Sequence, residues 1–537
     1  MANTPARAYR AACPNCGAPV EFASAASASA VCSFCRSTLV RDGDALRRIG
    51  ISAELFDDHS PLRLGAGGKR QGIAFTLVGR LQYAYEGGTW NEWHALFDNG
   101  RSAWLSEDNG AYVLAFDAPL PADAPALAAL RAGQRLQADG RAWDVASLTR
   151  ARLLAAEGEL PAPPALEREF LVADLRNSAG EVATLDGSDP ARPAWSIGRS
   201  VLLGELAMQG LAQTSEKKLA GRAIECPNCG AALEPKLSST QSLTCGQCKA
   251  VVDISRGVGA ELAHYTQNNT GPGGLEPQIA LGKLGRLAAL TPGQPPESWQ
   301  VVGFMERCDI PDDDDQTTYW REYLLYQPTL GFAFLVDAED GWSWVRPVTG
   351  APQVRGELAE YEGARYRHRY TYEAKVTWVL GEFYWRVQRD ERAKVSDYDG
   401  TGNAAARRLS REQTRGAEGG AADSEVVWSA GATLAAAEVA AAFGLAPPAA
   451  IDSARKLGSF TPAGKGLKTI LWIVVLLFVV MAIVGSCDHD ECADVRSTFG
   501  EASAEYRQCV AQRGSGTGGR SAGGSFGGRS SGGGGHK

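Results

Sequence analysis

Eight cysteines carry the only clear ligand chemistry in the sequence, and they fall into two identical sets. Cys13-x2-Cys16-x15-Cys32-x2-Cys35 recurs as Cys226-x2-Cys229-x15-Cys245-x2-Cys248, each cysteine 213 residues after its counterpart. The first pair of each set reads Cys-Pro-Asn-Cys-Gly-Ala. Proline fixes one dihedral, and glycine after the second cysteine permits the tight turn that aims backbone N–H groups at thiolate sulfur. Two such knuckles 15 residues apart can close on one tetrahedral Zn²⁺. Four thiolates leave no open position for water, so the expected chemistry is structural: two Zn²⁺ ions, one per ribbon, and no metal-centred catalysis.

The elements that follow each ribbon repeat as well. Ile73 to Gly79 leads to Trp90-Asn-Glu92-Trp93-His94, and Trp299 to Phe304 leads to Trp320-Arg-Glu322-Tyr323-Leu324. Ala103 to Gly110 matches Phe334 to Gly341, an apolar strand end running into an Asn-Gly or Asp-Gly turn. Gly158-Glu159-Leu160 falls where Gly381-Glu382-Phe383 falls in the second copy. Period-two alternation of aromatic and β-branched residues predicts short antiparallel strands in a sandwich or barrel-like domain. Residues 165–210, with Phe170 and Trp195, read as further strands closing the first unit.

The expected fold class is therefore mainly β: two zinc ribbons, each followed by a strand-rich antiparallel domain, and one C-terminal transmembrane helix. The boundaries expected are 10–42 and 222–256 for the ribbons, and 50–215 and 275–400 for the β-domains. Residues 401–466 read as a polar segment, a short alanine-rich helix and a linker, with order doubtful from Asp397 to Asp423. The transmembrane helix is placed at 469–487, where Ile470 to Val484 is uninterruptedly apolar; about 19 residues at 1.5 Å span a bilayer core of about 30 Å. A tail follows over 488–537, Gly/Ser-rich from 514.

Charge and redox chemistry set the expected location. Arg455, Lys456, Lys465 and Lys468 precede the apolar run, and Asp488, Asp490, Glu491 and Asp494 follow it. The positive-inside rule then predicts a single-pass protein of the bacterial cell membrane, N-terminal region cytoplasmic and tail extracytoplasmic. Thiolates holding zinc suit the same reducing side. The N-terminus lacks an apolar stretch before the first ribbon, which predicts no cleavable signal peptide. A formal net charge of -8 argues against a nucleic-acid footprint.

Other candidate groups carry weaker chemistry. Glu92 and Glu322 stand two residues from Trp90 and Trp320, on the same strand face, where an indole could raise a carboxyl pKa for acid–base work. No nucleophile, second acid or histidine is matched between the copies to complete a mechanism. The set Trp90, Glu92, Trp93, Trp320, Glu322 and Tyr323 reads instead as a candidate surface for a protein partner or small ligand. Asp309 to Asp315 reads as a solvated acidic turn, since it lacks the glycine and terminal glutamate of a calcium loop. Cys308 reads as a core thiol, while Cys487, Cys492 and Cys509 leave both disulfide pairing and metal binding open.

The block from Gly79 through Trp90-x-Glu92-Trp93 to Trp104-Leu105, with its second copy from Gly303 to Trp344, resembles the bacterial domain-of-unknown-function 4178 family. Members commonly join zinc ribbons, one or two copies of this domain, and a C-terminal membrane helix with a Gly/Ser-rich tail. The resemblance implies a role at the bacterial membrane and brings no catalytic residues. The expected function is thus a non-enzymatic, membrane-tethered adaptor or sensor that binds a protein or small ligand. The alternatives are an enzyme or enzyme subunit using Glu92 and Glu322, and a nucleic-acid binder working through the ribbons.

Overall fold

The computed structural model describes residues 9–445, apart from 24–26, 43–44, 52–59, 86–87, 109–110, 165–167, 213–223, 238–239, 255–261, 268–276, 288–295, 311–316, 328–329, 388–390 and 415–423. The first cysteine set lies among β1 (Tyr9–Ala12), β2 (Pro19–Phe22), β3 (Ser29–Val31), β4 (Ser37–Asp42) and β5 (Ala45–Ile51). Then come β6 (Gly67–Arg70), β7 (Ile73–Tyr85), β8 (Gly88–Phe97), β9 (Ser102–Asp108) and β10 (Ala111–Ala118). The first unit ends with β11 (Arg135–Ala138), β12 (Arg141–Leu160), β13 (Glu169–Arg176), β14 (Glu181–Asp186) and β15 (Ala194–Val201).

The second cysteine set lies among β16 (Ile224–Glu225), β17 (Ala232–Leu233), β18 (Ser242–Thr244), β19 (Val251–Asp253) and β20 (His264–Tyr265). After it come β21 (Leu284–Leu287), β22 (Glu297–Asp309), β23 (Tyr319–Gln327), β24 (Gly331–Ala338) and β25 (Gly341–Val348). The chain continues through β26 (Gln353–Arg355), β27 (Leu358–Tyr361), β28 (Ala364–Phe383), β29 (Arg392–Gly400), β30 (Arg407–Thr414) and β31 (Ser424–Leu434), then α1 (Ala436–Phe443).

Each β-unit closes on itself. The antiparallel ring of the first runs β7-β8-β9-β10-β15-β14-β13-β12 and back to β7. The second runs β22-β23-β24-β25-β31-β30-β29-β28 and back to β22. Both are eight-stranded barrels with the same strand order, and even the bulge recurs, between Leu77 and Gly79 and between Val301 and Gly303. The 20-residue strands β12 and β28 make closure work by changing neighbours along their length. β12 pairs with β13 over Asp144–Arg152 and with β7 over Leu153–Gly158, and β28 divides itself between β29 and β22 in the same way. A short ladder, Ser147 to Glu425 and Leu148 to Ser424, joins the barrels.

Two expectations are corrected here. Among the described residues the polar run past Asp397 is mostly strand: β29 extends to Gly400, and β30 and β31 supply two of the eight staves. Backbone pairing on both sides, with Leu409, Ser410 and Glu412 buried on β30, overrides the polar composition. Among the described residues the fold class is mainly β, without the expected transmembrane helix. Among the described residues no helix is long and apolar enough to cross a membrane. α1 has eight residues, about 12 Å of helix against a core of about 30 Å, and it packs Val439, Ala440 and Phe443 onto the second barrel. Residues 469–487 lie outside the described residues. The membrane as partner and the single-pass cell-membrane localisation are withdrawn with the helix.

Candidate metal centres

The sulfurs of Cys13, Cys16, Cys32 and Cys35 lie within 4.8 Å of one another, as do those of Cys226, Cys229, Cys245 and Cys248. The structure thus groups the cysteines as two sets of four, and either cluster could hold a metal ion. Closest approaches are 3.6 Å for Cys13–Cys35 and 3.7 Å for Cys16–Cys32, Cys226–Cys248 and Cys229–Cys245. Four knuckle turns build these clusters in one way. Gly17 N–H donates to Cys13 O, Arg36 to Cys32 O, Gly230 to Cys226 O and Lys249 to Cys245 O, at 2.8–3.0 Å. All four donors are left-handed, with φ of 77°, 55°, 74° and 60°. Glycine takes that conformation freely, whereas Arg36 and Lys249 adopt it against their Cβ, as the turn around a ligand demands.

Hydrogen bonds prepare one thiol of each cluster to ionise. Ser37 and the Asn15 side chain hold Cys35 down to about 5, and the Asn228 side chain holds Cys248 down to about 6. Asn15 and Asn228 are the matched asparagines of the two Cys-Pro-Asn-Cys turns. Burial pushes Cys226 in the opposite direction, up to about 12. Four sulfurs this close cannot all carry charge unless a cation lies between them, so the donor set suits a soft divalent metal.

Each cluster is tied to its barrel at the same place. β3, which ends beside Cys32, pairs with the end of β12, and β18, which ends beside Cys245, pairs with the end of β28. Gly158 and Gly381 sit at this crossing with φ of 70° and 86°. A Cβ there would come within 2.2 Å of Val78 O and 2.3 Å of Val302 O, so only glycine lets the strands cross so closely. The next residue is the clamp. Glu382 Oε2 accepts from Lys236 N (2.9 Å), Leu237 N (3.0 Å) and Thr240 Oγ1 (2.6 Å), while Oε1 accepts from Lys236 N at 3.0 Å. Glu159 Oε1 accepts from Ala23 N at 2.5 Å in the first unit. Both glutamates are buried.

The aromatic and acidic candidates do not form a surface. Trp90, Glu92, Trp93, Trp320, Glu322 and Tyr323 are all between 0 and 4% exposed, and that expectation is corrected. The same-face reading of Trp320 and Glu322 is sound, since Trp320 Nε1 donates to Glu322 Oε1 at 2.8 Å, but the face points inward. There Arg307 donates to Glu322 Oε1 at 3.2 Å and grips Glu412 with two bonds, of 3.1 and 2.9 Å. β22 and β30 are not neighbours in the ring, so the Arg307–Glu412 pair spans the barrel interior. Burial, opposed by Arg307, pushes Glu322 up to about 7, and its Oε2 has no hydrogen-bond partner among the described residues. Arg307 itself is held above its ordinary value because the pull of Glu412 and Glu322 outweighs its burial. Glu412 takes two of the guanidinium's bonds and Glu322 one.

In the first barrel Tyr83 stands at the register position of Arg307, four residues after the matched glycine. Burial, together with Glu92 and Asp186, pushes its phenol well above the ordinary range. Asp186 pairs across from Val172 as Glu412 does from Val395. His94 is a fixed core residue: its ring nitrogens meet Glu159 O and Ser102 Oγ, each at 2.9 Å, and burial lowers its pKa. Arg307 and Glu412 escaped sequence reasoning. Nothing local marks them, since Arg307 stands beside Glu306 and Glu412 between Arg411 and Gln413, on strands that meet solely through ring closure. Cys308 is buried, and burial pushes its thiol up to about 11. Residues 311–316 of the acidic turn, and Cys487, Cys492 and Cys509, lie outside the described residues.

Both barrels match the family described as Domain of unknown function (DUF4178), over residues 63–203 and 296–435, together more than half of the chain. No curated protein and no solved structure matches the chain.

Proposed function

Because the chain belongs to the DUF4178 family through both of its barrels, we propose that it is a binding module and not an enzyme. In this reading two structural Zn²⁺ ions hold the ribbons, and the ribbons hold the barrels as a rigid platform for a protein or small ligand. The observation that carries it is the coupling of each closed four-cysteine cluster to its barrel through the Gly-Glu clamp. Metal fixed there stiffens the whole unit and is positioned for no substrate. Glu322, at about 7, has the pKa of an acid–base group, but it is shut inside the barrel against Arg307 and Trp320. The net charge of -8 speaks against nucleic acid.

Metal analysis tests the proposal. Full-length chain purified under reducing conditions should carry two zinc ions, and Cys245→Ser with Cys248→Ser should remove one of them. A stoichiometry near zero, or retention of both ions by the variant, defeats it.

A further inference from the structure

Between the barrels lies a cleft of about 550 Å³, lined from both copies. Four arginines face it, Arg135 and Arg176 from the first barrel and Arg346 and Arg411 from the second, against two carboxylates, Asp144 and Glu425. The arginines of the first barrel are engaged. Arg135 grips Asp144 with two bonds, of 3.1 and 2.8 Å. Arg176 lies 3.9 Å from Asp174 and also interacts with Glu425.

Those of the second barrel have no carboxylate at ion-pair distance, although Asp144 acts on Arg411 from farther off. Arg346 donates to Leu330 O at 3.0 Å and Arg411 donates from both Nη1 and Nη2 to the neutral Gln413 Oε1, each at 3.3 Å, and among the described residues neither has a carboxylate within 4 Å. Burial lowers the pKa of both, as expected of guanidinium groups that water solvates poorly.

Register places these two charges on one outer face. Arg346 pairs with Ala430, and Arg411 pairs with Trp428, which pairs in turn with Val348. Sheet spacing sets their Cα atoms about 12 Å apart, with the Trp428 indole between the two strands that carry them. Opposite, Gly133 of the first barrel has φ of 84°, and a Cβ there would stand 2.5 Å from Arg411 Nη2. The facing backbone is thus bare where the guanidinium lies. The matched positions of the first barrel are Phe116 and Leu185, so both charges are peculiar to the copy whose face looks onto the cleft.

We propose that this cleft binds a small organic anion, its oxyanion head held by Arg346 and Arg411 and its apolar body laid against Trp428 and Tyr398. The cleft has the volume of a small-molecule site, and an arginine without a carboxylate presents its fork to carboxylate or phosphate. The inference deepens the binding-module reading and rests on it.

Two fluorescent probes test it on the full chain: 8-anilinonaphthalene-1-sulfonate, an aromatic anion, and N-phenyl-1-naphthylamine, the same rings without charge. The expected result is one saturable sulfonate site per chain, with the neutral probe at least about tenfold weaker. Arg346→Gln with Arg411→Gln should weaken the sulfonate by about 10- to 100-fold at unchanged melting temperature. Equal binding of the two probes, or undiminished binding by the folded double variant, overturns the proposal. Competition on the unaltered chain decides the matter should the variant not fold. Displacement by inorganic phosphate indicates a phosphate head and displacement by benzoate a carboxylate; displacement by neither overturns the proposal. Zinc content measured on the same samples separates the two readings. Two zinc ions with no anion site sinks the cleft alone, and absent zinc sinks the ribbon reading whatever the probes do.

Discussion

Glu382→Ala should release the second ribbon from its barrel without unfolding the barrel. The buried carboxylate satisfies three donors, Lys236 N and Leu237 N at the edge of the ribbon and the buried Thr240 Oγ1, at 2.6–3.0 Å. A hydrogen bond to a charged group is worth about 1.5–3 kcal/mol, so losing three of them, partly relieved by entering water, puts the local opening about 3–6 kcal/mol closer. Amide exchange of Lys236 and Leu237 reads that opening directly, and at tenfold per about 1.4 kcal/mol it should accelerate by roughly 10²- to 10⁴-fold. Glu382→Gln keeps an acceptor at the Oε2 position and loses the charge, so its acceleration should be closer to about tenfold. Exchange at the β24–β25 ladder serves as the internal reference, since it lies in the barrel body. Unchanged exchange of Lys236 and Leu237 in a folded Glu382→Ala chain would refute the idea that this residue is the clamp.

Three further outcomes follow from the same geometry. A zinc chelator should raise exchange in the knuckle turns around Cys13 and Cys226 while the buried tryptophans of the barrels keep their native fluorescence; simultaneous loss of both signals would show that metal holds the entire fold. Glu322 is held at about 7 against an ordinary 4.5, so its contribution to stability is full below about 4.5 and is lost as pH rises through 7. Stability, followed by melting temperature, should therefore fall between pH 5 and 8 by up to about 3 kcal/mol, and Glu322→Gln should flatten that slope; parallel slopes in the two proteins would refute it. Gly158→Ala and Gly381→Ala each drive a Cβ toward a carbonyl at 2.2 or 2.3 Å with φ in the left-handed region. Each should cost about 3 kcal/mol or more in denaturant unfolding, and a loss under about 1 kcal/mol would show that the crossing can relax.

Local chemistry was legible in the sequence, and closure was not. The cysteine spacing located both clusters because a knuckle is a local turn whose residue types declare it. The matched Gly-Glu blocks were visible too, but their role depends on a ribbon 146 residues away, as in the Lys236–Glu382 contact. Trp320 and Glu322 were rightly read as sharing a face. Period-two alternation cannot say whether that face meets solvent or the inside of a barrel, because β24 is buried at every position. Residues 401–414 were misread for the converse reason: Arg407, Arg408, Ser410 and Arg411 look like a loop until two neighbouring strands pair with them.

What the two copies keep and what they change bears on how the molecule works. The cysteines, the crossing glycines Gly79 with Gly158 and Gly303 with Gly381, and the glutamates Glu159 and Glu382 are the same in both units. These residues join ribbon to barrel. The interior differs, with Tyr83 against Arg307 and His94 against Leu324, so the filling of a barrel is free to vary while its brace is not. The outer faces differ in a more directed way. Phe116 and Leu185 give way to Arg346 and Arg411 only on the second barrel, on the face opposed by Gly133 of the first. Charging a half-buried face with no carboxylate at ion-pair distance destabilises a barrel on its own account, and nothing in the brace requires it. The substitution makes physical sense only in the paired arrangement, where one unit brings cations and the other supplies a bare backbone edge. A single unit of this fold carries half of that cleft, so a chain built from two first-type barrels should keep both four-cysteine clusters and lose the proposed anion site.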